Sequence, residues 1–227
     1  MSIVDRLLRQ GLISGSLESL LNNRYEVLMG SWAFGTQHAG SDLDVYGFYP
    51  GTAGGPSEVR ISVAGHDVLL YEAGRFVKRV LVGRPRWLET LFAPEANILA
   101  LSEEARMLRC GRQGLLHKGT ARELRTFSCS EWQKASQPKE KAHAIRKMLE
   151  ARQILVEGDL DIQRNRALLV AIRCGEWSDE QLAARFQELD AEISELLISS
   201  SLRERPDTAV LATLPFVDLS ELVPPAN

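Results

Sequence analysis

The sequence predicts an α/β (α+β) fold, with a small mixed sheet in the first hundred or so residues and a helical C-terminal half. Two observations predict it. Apolar runs with strand character, around Tyr25–Met29, Asp42–Gly47, Val59–Val63 and Asp67–Tyr71, all fall before residue 100. From Ser102 onward the apolar spacing is helical throughout, and capping residues punctuate it. The expected division is an α/β part over 1–100, a helical part over 101–202 and an irregular tail over 203–227.

Bulk properties set the frame. At 227 residues the chain is long enough for one large domain or two small ones. With 44% hydrophobic and 25% charged residues it has the composition of a soluble globular protein. No apolar run approaches the roughly 18 residues of a membrane span, and the opening MSIVDRLLRQ carries charges where a secretory signal needs apolar residues. A cytoplasmic protein with no membrane partner is expected. Cys110, Cys129 and Cys174 are far apart and odd in number, which argues against a disulfide framework or a zinc site and for buried or semi-buried thiols. Charge is uneven. Residues 104–152 hold 12 Lys/Arg against 5 Glu (+7), and residues 176–223 hold 3 Arg against 11 Asp/Glu (−8). The basic segment suits a polyphosphate or a nucleic acid, or forms ordinary solvated helix faces.

In order, residues 3, 4, 7, 8 and 12 are apolar at helical spacing, and Ser16 caps a short helix over Leu17–Asn23. A strand through Val27, Leu28 and Met29 then enters Gly30-Ser31, a tight turn with a short helix start. The next strand carries Asp42 and Asp44, which the strand period of two puts on one face. Two carboxylates on one face repel, and a divalent cation between them removes that cost. GTAGGPS after Pro50 reads as a loop. VRISV-AGH-DVLLY reads as a hairpin with Gly65 in its turn. A helix follows over Gly74–Val82, and Pro85 opens another with Trp87, Leu88, Leu91 and Phe92 in the core.

In the second half Ser102 caps a helix to about Leu116. Thr120-Ala-Arg-Glu123 and Ser178-Asp-Glu-Gln181 fit the capping box. Pro138 opens a helix that Gly158 stops. The last long helix spans about Asp179–Ser200. Its Ala191, Ile193, Leu196 and Leu197, beside Glu188, Glu192 and Glu195, offer an oligomer contact. The tail phrase LPFVDLSELVPP is apolar enough to fold back on the body. On the Pro138 helix, Lys139, His143, Arg146 and Glu150 share one face beside an apolar stripe of Ala142, Ile145 and Leu149.

Gly30-Ser31-Trp32-Ala33-Phe34-Gly35, then Ser41-Asp42-Leu43-Asp44 and Gly47, resemble the nucleotidyltransferase superfamily typified by DNA polymerase beta. The longer form is similar to the bacterial and phage branch of predicted nucleotidyltransferases often called YcgL-like. GRPRWLETLFAP is similar to a segment of that branch, with Arg84 where the branch has Asn. The resemblance reaches to about residue 160. It implies a third carboxylate at Asp67, with Glu72 the competitor. Asp42, Asp44 and Asp67 would then be catalytic and bind Mg²⁺ or Mn²⁺; Glu89, on the Pro85 helix, is either a brace for the site or a surface residue. Gly30, Ser31, Lys139, His143 and Arg146 would bind the nucleotide.

The implied activity is transfer of NMP from an NTP, ATP foremost, to a hydroxyl of an acceptor: RNA, protein or small molecule. The basic segment tilts the acceptor toward nucleic acid, and Trp32, Phe34 and Tyr46 are either base-stacking or core residues. The alternative is a non-catalytic module of the same fold that binds a nucleotide or a partner.

Overall fold

The computed structural model describes residues 2–11, 24–51, 55–63, 66–207, 209 and 211–214. β1 (Tyr25–Leu28), β2 (Leu43–Tyr49), β3 (Glu58–Val63), β4 (His66–Glu72) and β5 (Ile98–Leu101) form one sheet in the order β3-β4-β2-β1-β5. β2 and β4 run parallel and the other pairs antiparallel, so the sheet is mixed, as expected. The sequence reading did not foresee β5. Its residues, Ile-Leu-Ala-Leu, show no apolar–polar alternation, and pairing with β1 is what makes them a strand.

Alternation of side chains gives the sheet two apolar faces. Val45, Tyr49, Val68 and Leu70 face Ile3, Val4 and Leu7 of α1 (Ile3–Arg9). Phe48, Leu69 and Tyr71 face the other way, toward α2 (Ala73–Leu81), α3 (Pro85–Leu91) and the helical half. That second core runs unbroken into the helical half, through Leu108, Leu124, Ile145, Leu169 and Ile193. The two halves therefore share one core rather than folding as separate bodies.

The helical half comprises α4 (Glu103–Cys110), α5 (Lys118–Trp132), α6 (Pro138–Glu157), α7 (Arg166–Arg173) and α8 (Asp179–Ser199). α6 runs through its centre and buries Ala144, Ile145, Met148, Ala151 and Ile154. Its limits follow the sequence. Pro138 sits in the first turn, Gln137 and Glu140 form a capping box, and Gly158 (φ +64°) ends it. The capping box of Ser178 and Gln181 also forms.

Several expectations change. α5 begins at Lys118, not after Thr120. His117 Nε2 meets the Leu81 carbonyl at 2.9 Å, which lets its Nδ1 accept from Gly119 N at 3.1 Å and cap the helix early. α4 stops at Cys110 because Gly111 and a 3₁₀ turn over Arg112–Leu115 fold Leu115 and Leu116 into the core. The chain after Gly30 makes turns rather than a helix start. Cys110 and Cys174 are exposed and Cys129 is partly buried, since the first two sit at the ends of α4 and α7.

The basic segment is largely covered by the chain itself. Arg125 pairs with Asp190 (2.6 Å), Arg152 with Glu192 (2.6 Å), Lys141 with Asp179 (2.7 Å), and Lys118 and Arg122 with Glu204. α8 lays its acids on these cations, and of the face expected to serve an oligomer Ile193 is buried, Leu196 and Leu197 pack partly buried against the core, and Ala191 stays exposed. The Ser16-capped helix over 17–23, part of the loop after Pro50, the turn at Gly65 and LPFVDLSELVPP beyond Leu214 lie outside the described residues. Among the described residues no helix is long and apolar enough to cross a membrane.

Candidate active site

The site starts at Gly30. Met29 N donates to the Asp44 carbonyl at 2.7 Å, which brings the end of β1 onto the start of β2. Gly30 then takes φ +60°, and a Cβ there would stand 2.3 Å from Asp44 Oδ2. No larger side chain fits while Asp44 holds its place. Ser31 O accepts from Thr36 N at 2.8 Å, and Trp32 Nε1 donates to the Asp42 carbonyl at 3.1 Å. These bonds fold residues 30–36 against the acidic strand start.

Asp42 and Asp67 are near enough to Asp44 for their charges to interact with its own. Asp44 is the register partner of Asp67 across the parallel β2–β4 pair, and Asp42 lies just before β2. Burial pushes the Asp44 carboxyl above its ordinary value, and Asp67 and Asp42 push it further, against the opposing charges of Arg86 and Lys139. Asp67 accepts from Ser62 Oγ. The competitor Glu72 is at the other end of β4, where its oxygens accept from Gly74 N and Arg75 N at 2.7 Å each as the cap of α2. Asp67 is thus the carboxylate that accompanies the pair.

Carboxylate oxygens beside a half-buried, mutually repelling Asp suit a hard divalent cation such as Mg²⁺ or Mn²⁺. In donor chemistry the three residues fit. Among the described residues, however, no group of three or more His, Cys, Asp or Glu side chains is placed so that it could hold a metal ion, so the three acids supply the donor type and not an assembled site.

α6 supplies the facing wall. The cleft has a larger lobe of about 650 Å³ and a smaller one of about 200 Å³. Gly30, Phe34, Asp44 and His143 line both. Ser31, Asp42, Lys139 and Arg173 belong to the smaller lobe. Crowding by the cleft walls, and then Arg146, Lys147 and Lys139, push His143 down to about 4, so its ring is neutral at pH 7.

Arg146 behaves differently from expectation. Buried at 7% exposure, it pairs with Glu89 at 2.5 Å and Glu150 at 2.7 Å, and its guanidinium lies 3.8 Å from the Phe34 ring centre. Its charge is committed to two carboxylates, so it braces the wall rather than offering a free cation to phosphate. Burial, with Glu89 adding to it, pushes Glu150 up to about 8, while Arg146 and Lys147 hold the equally buried Glu89 below its usual range. Glu89 braces the site through Arg146.

The sequence reading missed a group of cations. Arg79, Arg84 and Arg86, from the end of α2 and the turn into α3, line the larger lobe with Tyr46, Trp87 and Phe127. The signal was present in the GRPR stretch, where Arg84 counted only as a departure from a pattern. Phe34 and Tyr46 face the cleft instead of filling the core entirely.

The fold and site together define a mixed α/β protein whose sheet and helical half enclose an acidic centre flanked by cations. Compared with protein-family models, with curated proteins and with solved structures, the chain gives no match.

Proposed function

We propose that this chain is a metal-dependent nucleotidyltransferase that transfers NMP, AMP foremost, from an NTP to a hydroxyl of an acceptor. The observation that carries the reading is convergence: Gly30 and Ser31, Asp42 and Asp44, and Lys139 and His143 meet at one lobe from three separate stretches of chain. On this reading the chain is a cytoplasmic member of the DNA polymerase beta-like superfamily, in its YcgL-like branch.

Each residue then has a task. The Gly30-Ser31 turn lies against the triphosphate with no side chain between backbone and ligand. Lys139, exposed and without an ion pair among the described residues, offsets phosphate charge, and Arg173 stands beside it. Asp42, Asp44 and Asp67 would hold Mg²⁺ or Mn²⁺, which when bound supplies charge neutralisation and makes the attacking hydroxyl more acidic. The acceptor oxygen bonds to the α-phosphorus as the bond to the leaving pyrophosphate breaks, and Asp67 takes the hydroxyl proton. Neutral His143 hydrogen-bonds to the phosphate without adding charge. RNA, protein and small-molecule hydroxyls all remain acceptors on this reading.

The test is calorimetric binding of ATP with Mg²⁺ to the wild type and to Asp42→Ala/Asp44→Ala. Metal-dependent binding that disappears in the double variant is expected. Equal binding by both would point to a nucleotide-binding module without the metal chemistry. No binding of any NTP by the folded wild type would sink the reading.

A further inference from the structure

The two lobes of the cleft carry different cations. In the larger lobe the guanidinium of Arg86 lies 5.2 Å from the Tyr46 ring centre and 6.0 Å from that of Trp87. Arg79 lies 5.6 Å from Trp87, and Arg84 lies 5.2 Å from Phe127. Aromatic faces hold a guanidinium in place but do not neutralise it. Arg84 has Glu123 at 2.9 Å, whereas Arg79 and Arg86 have no ion pair among the described residues. Of the nearby acids, Glu89 is engaged with Arg146 and Glu131 with Lys147, while Asp44 feels the Arg86 charge and Arg86 donates a hydrogen bond to the Tyr71 side chain.

The lobe therefore offers two positive charges without an ion pair among the described residues and, at its inner end, Asp44.

We propose that the larger lobe is the acceptor subsite and that the acceptor carries a phosphate of its own. Arg79 and Arg86 hold that phosphate, and its hydroxyl reaches Asp44 and Asp67. The assignment of the hydroxyl rests on the transferase reading, while the anion site does not. The cleft then has a cation cluster on each side of the acids, one for each of two phosphate-bearing reactants. The shared chemistry is a ribose phosphate, either a free sugar phosphate or the end of an RNA.

The experiment measures binding of ribose 5-phosphate, of a tetraribonucleotide and of ribose as control, by quenching of tryptophan fluorescence and by calorimetry, with no metal and no nucleotide. The phosphate-bearing probes are expected to bind the wild type, and at least tenfold more weakly to Arg79→Gln/Arg86→Gln. Saturating ATP with Mg²⁺ should leave the probe bound. Ribose 5-phosphate binding as tightly as the tetranucleotide identifies a sugar phosphate, and binding of the tetranucleotide alone identifies an RNA end. Absence of binding, equal binding by the arginine variant, or displacement of the probe by ATP overturns the subsite. Loss of ATP binding with probe binding intact would overturn the transferase reading alone.

Discussion

Glu26 and Asp44 are carboxylates on adjacent strands of one sheet, on opposite faces, and they live in opposite circumstances. Glu26 is fully buried and fully answered: it accepts from Ile3 N at 2.7 Å, Val4 N at 3.2 Å and Arg24 Nε at 2.9 Å, and from the Ser2 hydroxyl. Asp44 is half-buried and has two other carboxylates as its closest electrostatic company. A buried charge that the protein satisfies itself holds structure together. A charge surrounded by like charges in a cleft is satisfied only by something that arrives. The difference separates scaffold from site more clearly than residue type does, since both are plain acidic residues on strands.

The comparison breaks most visibly at Glu26. Glu26→Gln removes the charge that Arg24 and the first turn of α1 face, and loss of one member of a buried pair typically costs 3–5 kcal/mol. Asp5 remains 2.7 Å from Arg24, so we expect about 3 kcal/mol in urea unfolding. Nucleotide binding per folded molecule should stay as in the wild type. A variant that unfolds at the wild-type midpoint would show that the Glu26 cluster is not structural.

Gly30 sharpens the comparison from the other side. Gly30→Ala meets two obstacles, the positive φ and the Asp44 carboxylate. The backbone conformation alone costs roughly 1–2 kcal/mol. The clash with Oδ2 can be relieved only by moving the Asp44 side chain. We expect nucleotide binding to fall much further than stability, and the clash component to vanish in an Asp44→Ala background, as a double-mutant cycle would read. Additive effects of the two substitutions would mean that Gly30 does not shape the Asp44 position.

Much of this was legible in the sequence because it is written in local rules. Strand parity put Asp42 and Asp44 on one face, the family resemblance added Asp67, and Pro138 and Gly158 bounded the helix that carries Lys139 and His143. What was not legible depends on distant partners. Arg146 has the residue type and spacing of a phosphate ligand, but Glu89, 57 positions earlier, claims it. The basic run over 104–152 looked available, but charges near residues 179–204 lie on it. Charge counts along a chain cannot show which cations are already answered. The same blindness hid Arg79 and Arg86, which lie against aromatic rings from distant parts of the chain or the next helix.

The smallest expected effect is the most direct reading of the Asp44 environment. Its carboxyl titrates above the ordinary Asp value in the folded chain, so between the two values the folded state binds more protons than the unfolded one. Stability must then fall as pH rises through that window and stay at the lower level above it. Asp44→Asn removes the charge and with it this decline. Asp44 keeps partial contact with water, so the gain at pH 7 over the wild type should be no more than about 1 kcal/mol in metal-free urea unfolding. Mg²⁺ should reverse the order, since a cation stabilises the wild-type carboxylates and finds less to hold in the variant. If the variant is the less stable of the two without metal, Asp44 is a satisfied structural acid like Glu26, and the contrast between the two faces of the sheet fails.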